Sequence, residues 1–284
     1  MLQRNRSEGW AYAKNSGHEN ETKIESRLMT NMAFQSSFLK RIGLPERKIV
    51  NVSGGGLRES KVPSVFGSGE LTKSKADIYI KLDDGTSTTF SVKKSLGGQV
   101  YLVTIDNFIE AYSYHYEHIP DKVQKGIRLY WGSDPDTLSL IERFGVHKKY
   151  ETRKHRLTAD SIKCYDVSIL NALLGWFKSS AHNIAELCFA RGGARNSIDW
   201  AEYVWYKNEL DENAIDQIFK VSDLCKAVQA NANQNTFFGN RNGGSTIQLP
   251  FGFVQWHSPS KTFPGNLQFH HSFSNIAAIT SPSR

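Results

Sequence analysis

The chain has 284 residues, of which 39% are hydrophobic and 22% charged, a composition typical of a globular protein rather than a disordered or fibrous one. Its net charge of +7 favours a polyanionic partner without identifying one. No stretch approaches the roughly 18 apolar residues that span a bilayer, and residues 1–10 contain no signal-peptide core. We therefore expect a soluble, cytoplasmic protein that makes no membrane contact.

Apolar residues at helical spacing predict a helix over residues 18–42. Glu21 and Glu25 are four residues apart on this helix and therefore share a face. His18 has no partner at metal-ligand spacing, and such a histidine is more often structural than a ligand. The helix thus offers carboxylates as its chemically useful groups.

Residues 51–69 are rich in Gly and Ser and predict a loop, which leads into a β-hairpin over residues 75–95. Apolar residues alternate along both strands of the hairpin and define one face: Ile78, Ile80, Leu82, Phe90 and Val92. Asp77, Ser91 and Lys93 point to the opposite face. The alternation therefore brings three polar side chains together.

The turn of this hairpin decides whether the two apolar faces match. A three-residue loop at 83–85, with its glycine in the left-handed conformation, makes Asp77 face Ser91 and sets Lys93 on the diagonal. A two-residue turn would instead set Asp77 against Val92 and mismatch the faces. We expect the three-residue loop or an equivalent bulge.

The polar trio suits phosphodiester hydrolysis, which needs a hard cation, an activated water and a positive charge beside the nonbridging oxygen. Asp77, a nearby oxygen ligand and Lys93 can supply these. The alternative is that Asp77 and Lys93 are solvated residues on the outer face of an ordinary hairpin. The motif alone leaves both interpretations open, with nuclease the first hypothesis to test.

Further helices are predicted over residues 104–119, closed by Pro120, and over residues 134–150. The short basic run at 151–156 indicates a solvated loop. The amphipathic region at 160–190 predicts core packing for Leu170, Leu173, Leu174, Trp176 and Phe177.

The three cysteines, Cys164, Cys188 and Cys225, are far apart and lack CxxC spacing. This pattern predicts free buried thiols in a reducing compartment rather than zinc ligands or disulfides.

The turn at residues 191–193 precedes an aromatic strand and can present a guanidinium and backbone amides to a phosphate, although such a turn is more often only a turn. Short alternating segments predict a β-rich portion over residues 235–276. His270 and His271, as strand neighbours, point to opposite faces and do not share a metal. Several polar side chains of this portion are of the kind that hydrogen-bond to base edges, although any exposed strand can carry the same residues. They are Gln248, Gln255, His257, Lys261 and Gln268.

Three blocks follow one another along the chain: residues 13–28, residues 74–99, and residues 191–204 together with 244–269. In this order they resemble type II restriction endonucleases of the PD-(D/E)xK superfamily, specifically the small group that cuts GC-rich tetranucleotides such as GCGC and CCGG.

The resemblance implies an α/β, restriction-endonuclease-like fold with a mixed central sheet flanked by helices and a β-rich C-terminal portion. Residues 1–284 would form a single endonuclease domain. Its catalytic core would lie at 13–130, and its sheet and DNA-recognition portion at 185–276.

The resemblance also implies catalytic and metal-binding roles, with Mg²⁺ as the cofactor. Asp77 would be the metal-binding carboxylate, and Lys93 would orient the attacking water and stabilise charge. The backbone carbonyl of Val92 would be a direct metal ligand.

Ser91 departs from the superfamily, in which most members have Glu or Asp at the middle position, whereas the small group has Asn or Gln. Its hydroxyl is short and reaches a metal only through water. A carboxylate of the first helix would restore the missing charge, with Glu21 a better match than Glu25 to the Asn-Glu pair of the group.

For DNA recognition, the resemblance implies that Gln99 lies at the bases. The phosphate and base contacts would come from Arg191, Arg241 and the terminal β-segment with Gln248, Gln255 and Lys261. The recognition sequence does not follow from these residues.

The implied activity is Mg²⁺-dependent cleavage of double-stranded DNA within a short GC-rich palindrome, leaving 5′-phosphates. The protein would act as a monomer or homodimer, beside a cognate DNA methyltransferase in its host. A repair or recombination nuclease and a non-catalytic DNA-binding protein remain alternatives. A metabolic enzyme is least supported, because no nucleotide-binding fingerprint occurs.

Overall fold

The computed structural model describes residues 6–54, 61–67, 69–211, 214–257 and 265–281, with side chains from residue 15 onward. The chain divides into two compact units. Unit 1 consists of Met1–Leu96 and Phe189–Val221, and unit 2 consists of Gly97–Cys188 and Ser222–Arg284. The assignment of residues 1–284 to a single endonuclease domain stays a prediction.

The helices of the described residues are α1 Arg6–Thr30, α2 Met32–Arg41, α3 Ile105–His115, α4 Asp121–Trp131, α5 Thr137–Phe144, α6 Lys148–Lys154, α7 Ala159–Ser179, α8 Ala181–Glu186, α9 Val221–Asn235 and α10 Phe273–Thr280. A π-helical turn, Leu187–Arg191, and a short 3₁₀ turn, Ser197–Asp199, follow α8. The strands are β1 Ile49–Gly54, β2 Lys61–Pro63, β3 Leu71–Lys73, β4 Ile78–Leu82, β5 Ser87–Lys93, β6 Gly97–Thr104, β7 Tyr203–Lys207, β8 Asp216–Lys220, β9 Phe237–Phe238, β10 Thr246–Leu249, β11 Gly252–His257 and β12 Asn266–Ser272.

Unit 1 is built on a mixed sheet with the strand order β1-β4-β5-β7-β8 within the described residues. Strands β5 and β7 are parallel, and the other neighbours are antiparallel. Helices α1 and α2 bury their apolar side chains against the sheet in a core of Ile24, Leu28, Phe38, Ile78, Ile80, Leu82, Phe90, Val92 and Trp205. The expected α/β class with a mixed sheet is confirmed.

The prediction of one helix over residues 18–42 was wrong in one respect, because the helix is broken at Asn31. The side chain of Asn31 accepts a 2.9 Å hydrogen bond from Phe34 N and so caps the start of α2. The break lets α1 and α2 both pack on the sheet.

The predicted hairpin register is confirmed. Ile78 pairs with Phe90, and Lys81 pairs with Ser87. The three-residue loop closes where Gly85, at φ 85°, donates its N–H to the carbonyl of Leu82 over 3.1 Å. Just before the first of these pairs, Asp77 N donates to the Phe90 carbonyl over 2.8 Å, and the Asp77 side chain meets that of Ser91.

The loop predicted for residues 51–69 was wrong over much of its length. Val52 pairs with Ile80 in an antiparallel ladder between β1 and β4, and β2 pairs with β3. The strand hydrogen bonds come from distant partners, so a Gly- and Ser-rich composition did not reveal them. Residues 55–60 and 68 lie outside the described part of the chain.

Unit 2 contains an antiparallel sheet, ordered β6-β12-β11-β10-β9 among the described strands, which confirms the β-rich C-terminal portion. The helix expected over residues 104–119 is α3, capped by the Thr104 side chain, but it ends at His115, and Pro120 precedes the start of α4 instead of closing α3. Residues 134–150 hold parts of two short helices, α5 and α6, rather than one. Leu173, Trp176 and Phe177 of α7 are buried as expected, whereas Leu170 and Leu174 are half-buried.

Two other expectations for unit 2 were wrong. The basic run at 151–156 is not a solvated loop, because it continues α6 and buries both Glu151 and Arg156 completely. The cysteines are free thiols as predicted, but Cys164 is exposed while Cys188 and Cys225 are buried.

Among the helices of the described residues, none combines the length and the apolar character that a membrane span requires.

Candidate functional site

The hairpin brings its three polar side chains into one hydrogen-bonded chain. Lys93 Nζ donates to Ser91 Oγ over 2.7 Å, and Ser91 Oγ donates to Asp77 Oδ2 over 3.3 Å. Ser91 is buried, with 1% of its surface exposed, so its hydroxyl serves its neighbours rather than solvent. The serine therefore links the carboxylate to the ammonium.

The main chain of Val92 completes this arrangement. Its N–H donates over 2.7 Å to Oδ2 of Asp77, which is the residue just before β4. The N–H and C=O of one strand residue point to the same neighbour, so the Val92 carbonyl also faces the Asp77 side. Lys93 Nζ lies 3.5 Å from that carbonyl oxygen. Two oxygen atoms that could bind a cation, one charged and one neutral, thus lie close together just before the start of β4.

Glu21 reaches this site from α1, and its neighbour Asn20 fixes the helix there. The fully buried Asn20 donates to the Lys207 carbonyl over 2.9 Å and accepts from Glu209 N over 2.6 Å. Lys207 ends β7, whose Tyr206 pairs with Lys93. Asn20 therefore anchors α1 to the strand next to the lysine strand.

The two carboxyl groups have unusual protonation behaviour. Burial, and then the negative charge of Asp77, raise the pKa of Glu21 to about 8, while Lys93 opposes the rise. Burial also raises the pKa of Asp77, and Lys93 and the hydrogen bonds from Val92 and Ser91 act against it. The site thus holds two carboxyls that a further positive charge would stabilise in their ionised forms.

The donor set fits a hard cation. Glu21 Oε2 is buried and accepts no hydrogen bond from the described residues, with His18 Nδ1 3.6 Å away. No group of three or more His, Cys, Asp or Glu side chains suited to a metal occurs in the described ranges. A cation here would therefore depend on two carboxylates, Asp77 and Glu21, and on neutral oxygens such as the Val92 carbonyl. Such an all-oxygen set suits Mg²⁺.

Lys75 is a residue that the sequence reasoning missed. Its positive charge lowers the pKa of Asp77, although less than the other causes do. A Cβ on Gly192 would lie 2.9 Å from Lys75 Cε, so the glycine leaves room for the lysine stem. Lys75 and Asp77 are two residues apart, a spacing that places side chains on the same face of an extended segment. This spacing could have identified Lys75 from the sequence.

The turn at residues 191–193 has a structural role as well as a candidate binding role. A Cβ on Gly193 would lie 2.4 Å from the Phe66 ring, so the backbone needs glycine to approach that close. The half-buried Arg191 places its guanidinium 4.3 Å from the centre of the Trp200 ring. Phosphate binding by Arg191 stays a prediction.

In unit 2, a row of amides crosses three strands of the antiparallel sheet. Gln255 on β11 donates to Gln268 on β12 over 2.8 Å, and Gln268 donates to Gln99 on β6 over 2.8 Å. His270 stacks on Phe253 with ring centres 4.6 Å apart, and its Nε2 lies 3.3 Å from Gln255 Nε2. The structure thus brings two sequence-predicted DNA-binding residues, Gln99 and Gln255, onto one polar face.

The other predicted DNA-binding residues of this unit are more scattered. Gln248 lies on β10 and donates to Thr246 Oγ1 over 3.3 Å. Arg241 is exposed in the loop before β10, and Lys261 lies outside the described residues. Whether any of them contacts DNA stays a prediction.

Among solved structures, the chain is similar to that of restriction endonuclease MspI in complex with its cognate DNA. The two share 12% sequence identity with a TM-score of 0.48, over 88% of this chain and 83% of that one. No protein-family model matches the sequence, and no curated protein matches it either. A similarity of this size concerns overall fold and assigns no role to a residue.

Proposed function

We propose that this protein is a Mg²⁺-dependent, sequence-specific double-stranded DNA endonuclease of the type II restriction kind. The observation that carries the proposal is the hydrogen-bonded chain from Lys93 through Ser91 to Asp77, with Glu21 electrostatically coupled to the same carboxylate. An ordinary solvated hairpin would not bury a serine between a lysine and an aspartate, or raise the pKa of a glutamate on another element.

Each residue has a chemical task in this proposal. Asp77, Glu21 and the Val92 carbonyl would hold the cation. When bound, Mg²⁺ supplies positive charge to the nonbridging phosphate oxygen and to the attacking water. Lys93, held by Ser91, would orient that water and balance the charge that develops on the phosphate. Ser91 is thus a positioning residue rather than a ligand.

The target class and the partners come from the sequence resemblance. The proposed substrate is a short GC-rich palindrome in duplex DNA, cut to leave 5′-phosphates, and the proposed host also makes a cognate DNA methyltransferase. The amide row of Gln255, Gln268 and Gln99 is a suitable surface for reading base edges, since amides both donate and accept hydrogen bonds. Either a monomer or a homodimer is compatible with the proposal.

The test is incubation of the purified protein with phage DNA and Mg²⁺, followed by sequencing of the fragment ends. Discrete fragments that share one short sequence at their ends, with 5′-phosphates, are the expected result. Smeared digestion, or cutting that follows DNA structure rather than sequence, would favour a repair nuclease. Binding without cutting at any Mg²⁺ concentration would leave only a DNA-binding protein.

A further inference from the structure

Helix α6 presents a surface of cations in unit 2. Lys148, Lys149 and Arg153 are exposed, and Lys154 is half-buried. None of the four forms an ion pair within the described part of the chain. Together with Tyr150 they line a shallow groove of about 640 Å³. We call this the α6 surface.

The single acidic residue of the helix does not neutralise this surface. Glu151 is completely buried, and its Oε1 accepts hydrogen bonds from Thr158 N at 3.0 Å and Thr158 Oγ1 at 2.9 Å. Ser161 Oγ donates to the same oxygen, and His147 N donates to Oε2 over 3.2 Å. The fold therefore satisfies the carboxylate inside the unit, and no acidic side chain of α6 is left to pair with the cations outside.

At the C-terminal end of α6, Lys154 and Arg156 point in different directions. His155 takes a left-handed conformation, at φ 51°, and ends α6. Arg156 then turns inward, where it donates to the Ser245 carbonyl over 3.2 Å and covers the Tyr130 ring at 4.3 Å. Lys154 instead lies outward, with its ammonium 5.0 Å from the centre of the Trp256 ring. The outward cations thus lie on a helix that is packed into the unit through buried Glu151 and through Arg156 just beyond its end.

We propose that the α6 surface binds the phosphate backbone of duplex DNA without regard to sequence, and so lengthens the DNA contact of the enzyme beyond its recognition site. This inference rests on the proposed function. These four cations form no ion pair among the described residues and lie on a helix whose one acid is buried, so the electrostatic complement of the surface is a polyanion. Long lysine and arginine side chains bind phosphates as mobile charges and read no bases.

A charge-matched pair of variants tests the inference on the full chain. The first replaces three exposed cations of the surface, as Lys148→Gln, Lys149→Gln and Arg153→Gln. The second replaces three exposed cations on other helices, as Lys40→Gln, Lys122→Gln and Lys226→Gln. Both lower the net charge equally, so only position differs. Binding is measured by fluorescence anisotropy on a random-sequence duplex of about 30 base pairs, without divalent metal, over a range of salt concentrations.

The α6 variant should bind roughly tenfold more weakly than the control variant at about 100 mM salt. The slope of log affinity against log salt concentration should be smaller in magnitude for the α6 variant than for the control, by about two to three. Each lost phosphate contact lowers the magnitude of this slope by about 0.9. Equal affinity and equal slope in the two variants would overturn the inference while leaving the proposed cleavage intact. Failure of the wild-type protein to bind the duplex would also overturn the inference, whereas the proposed function is tested separately by the Mg²⁺-dependent cleavage of phage DNA.

A second measurement separates DNA from another anionic partner. Binding to vesicles of phosphatidylserine and phosphatidylcholine is compared for the same two variants. A larger loss on vesicles than on the duplex would reject DNA as the partner of this surface. Single-turnover cleavage at saturating protein should be equal in the two variants, because the α6 surface is proposed to bind and not to catalyse.

Discussion

The backbone N–H of Val92 donates to Asp77 Oδ2 over 2.7 Å, so the strand that carries Lys93 holds the carboxylate through its main chain. Among replacements of Val92, only proline would remove this N–H donor. The backbone of the lysine strand therefore orients Asp77, and substitutions of Ser91 or Lys93 leave this hydrogen bond in place.

The first prediction concerns the charge of Asp77. Asp77→Asn keeps an oxygen acceptor for Val92 N but loses the negative charge that would hold Mg²⁺. Cleavage should fall by at least about 10³-fold, which corresponds to about 4 kcal/mol of lost stabilisation. DNA binding without metal should be unchanged. Asp83→Asn in the hairpin loop is the control, and single-turnover cleavage with anisotropy binding measures both. Wild-type cleavage by Asp77→Asn would exclude the assigned site.

The second prediction concerns Lys93. Lys93→Met keeps the length of the side chain and removes the ammonium that donates to Ser91. We expect the cleavage rate to fall by about 10²- to 10³-fold, because the ammonium that is positioned to stabilise negative charge on the phosphate is lost. The matched control is Lys81→Met, an exposed lysine on β4 of the same hairpin, which should cut at the wild-type rate. Equal rates for the two variants would contradict the role of Lys93.

The third prediction tests whether Glu21 supplies the negative charge that a carboxylate at position 91 would supply and Ser91 does not. Glu21→Gln should raise the Mg²⁺ concentration needed for half-maximal cleavage by about tenfold or more. Adding Ser91→Asp to that variant should recover part of the loss, since a carboxylate returns to the same side of the site. A double-mutant cycle on Mg²⁺ titrations measures the coupling. Purely additive effects would show that the two positions do not share a cation.

The raised pKa of Glu21 gives a prediction about pH. The proposed Mg²⁺ site requires the ionised carboxylate, so the half-saturating Mg²⁺ concentration should fall as pH rises towards about 8, with up to tenfold change per pH unit. Glu21→Gln should flatten this dependence. Calorimetry in two buffers of different ionisation enthalpy should detect proton release on binding to the wild-type protein and less release from the variant.

The same shift has the opposite consequence for the metal-free protein. A carboxyl whose pKa is raised on folding contributes stability that is fully present below pH 4.5 and is lost as the pH rises through about 8. The melting temperature of the wild-type protein should therefore fall relative to that of Glu21→Gln over this range. A constant difference between the two would mean that Glu21 is not buried as the structure has it.

The hairpin could be predicted in detail because strand alternation and turn chemistry are local properties of the sequence. The register that pairs Ile78 with Phe90, and so brings the side chains of Asp77 and Ser91 together, followed from matching two apolar faces around a left-handed glycine. Glu151 could not be predicted in this way, because its burial depends on hydroxyl and amide donors that only the fold brings around it. A glutamate in a basic segment is predicted to be exposed to solvent, and no residue-spacing pattern in the sequence indicates that it is buried.

The role of Asn20 was likewise hidden, since its partners are the backbone atoms of Lys207 and Glu209, far along the chain. The structure makes Asn20 a positioning residue for Glu21. Asn20→Ala would leave two backbone groups without their partner, at a cost of about 1 to 3 kcal/mol in the free energy of unfolding. Helix α1 would then hold Glu21 less firmly beside Asp77.

A matched control separates positioning from stability in this last prediction. Gln35→Ala removes another buried amide, which donates to the Leu28 carbonyl over 3.1 Å and forms no hydrogen bond with Asp77, Glu21 or Lys93 among the described residues. Both variants should lose similar stability in urea unfolding. Only Asn20→Ala should raise the half-saturating Mg²⁺ concentration of cleavage, with a smaller effect on the rate at saturating Mg²⁺. If Gln35→Ala shifted the Mg²⁺ titration equally, the effect of Asn20 would be general loosening of the fold. A shift confined to Asn20→Ala would mean that one buried amide sets the distance between the two carboxylates.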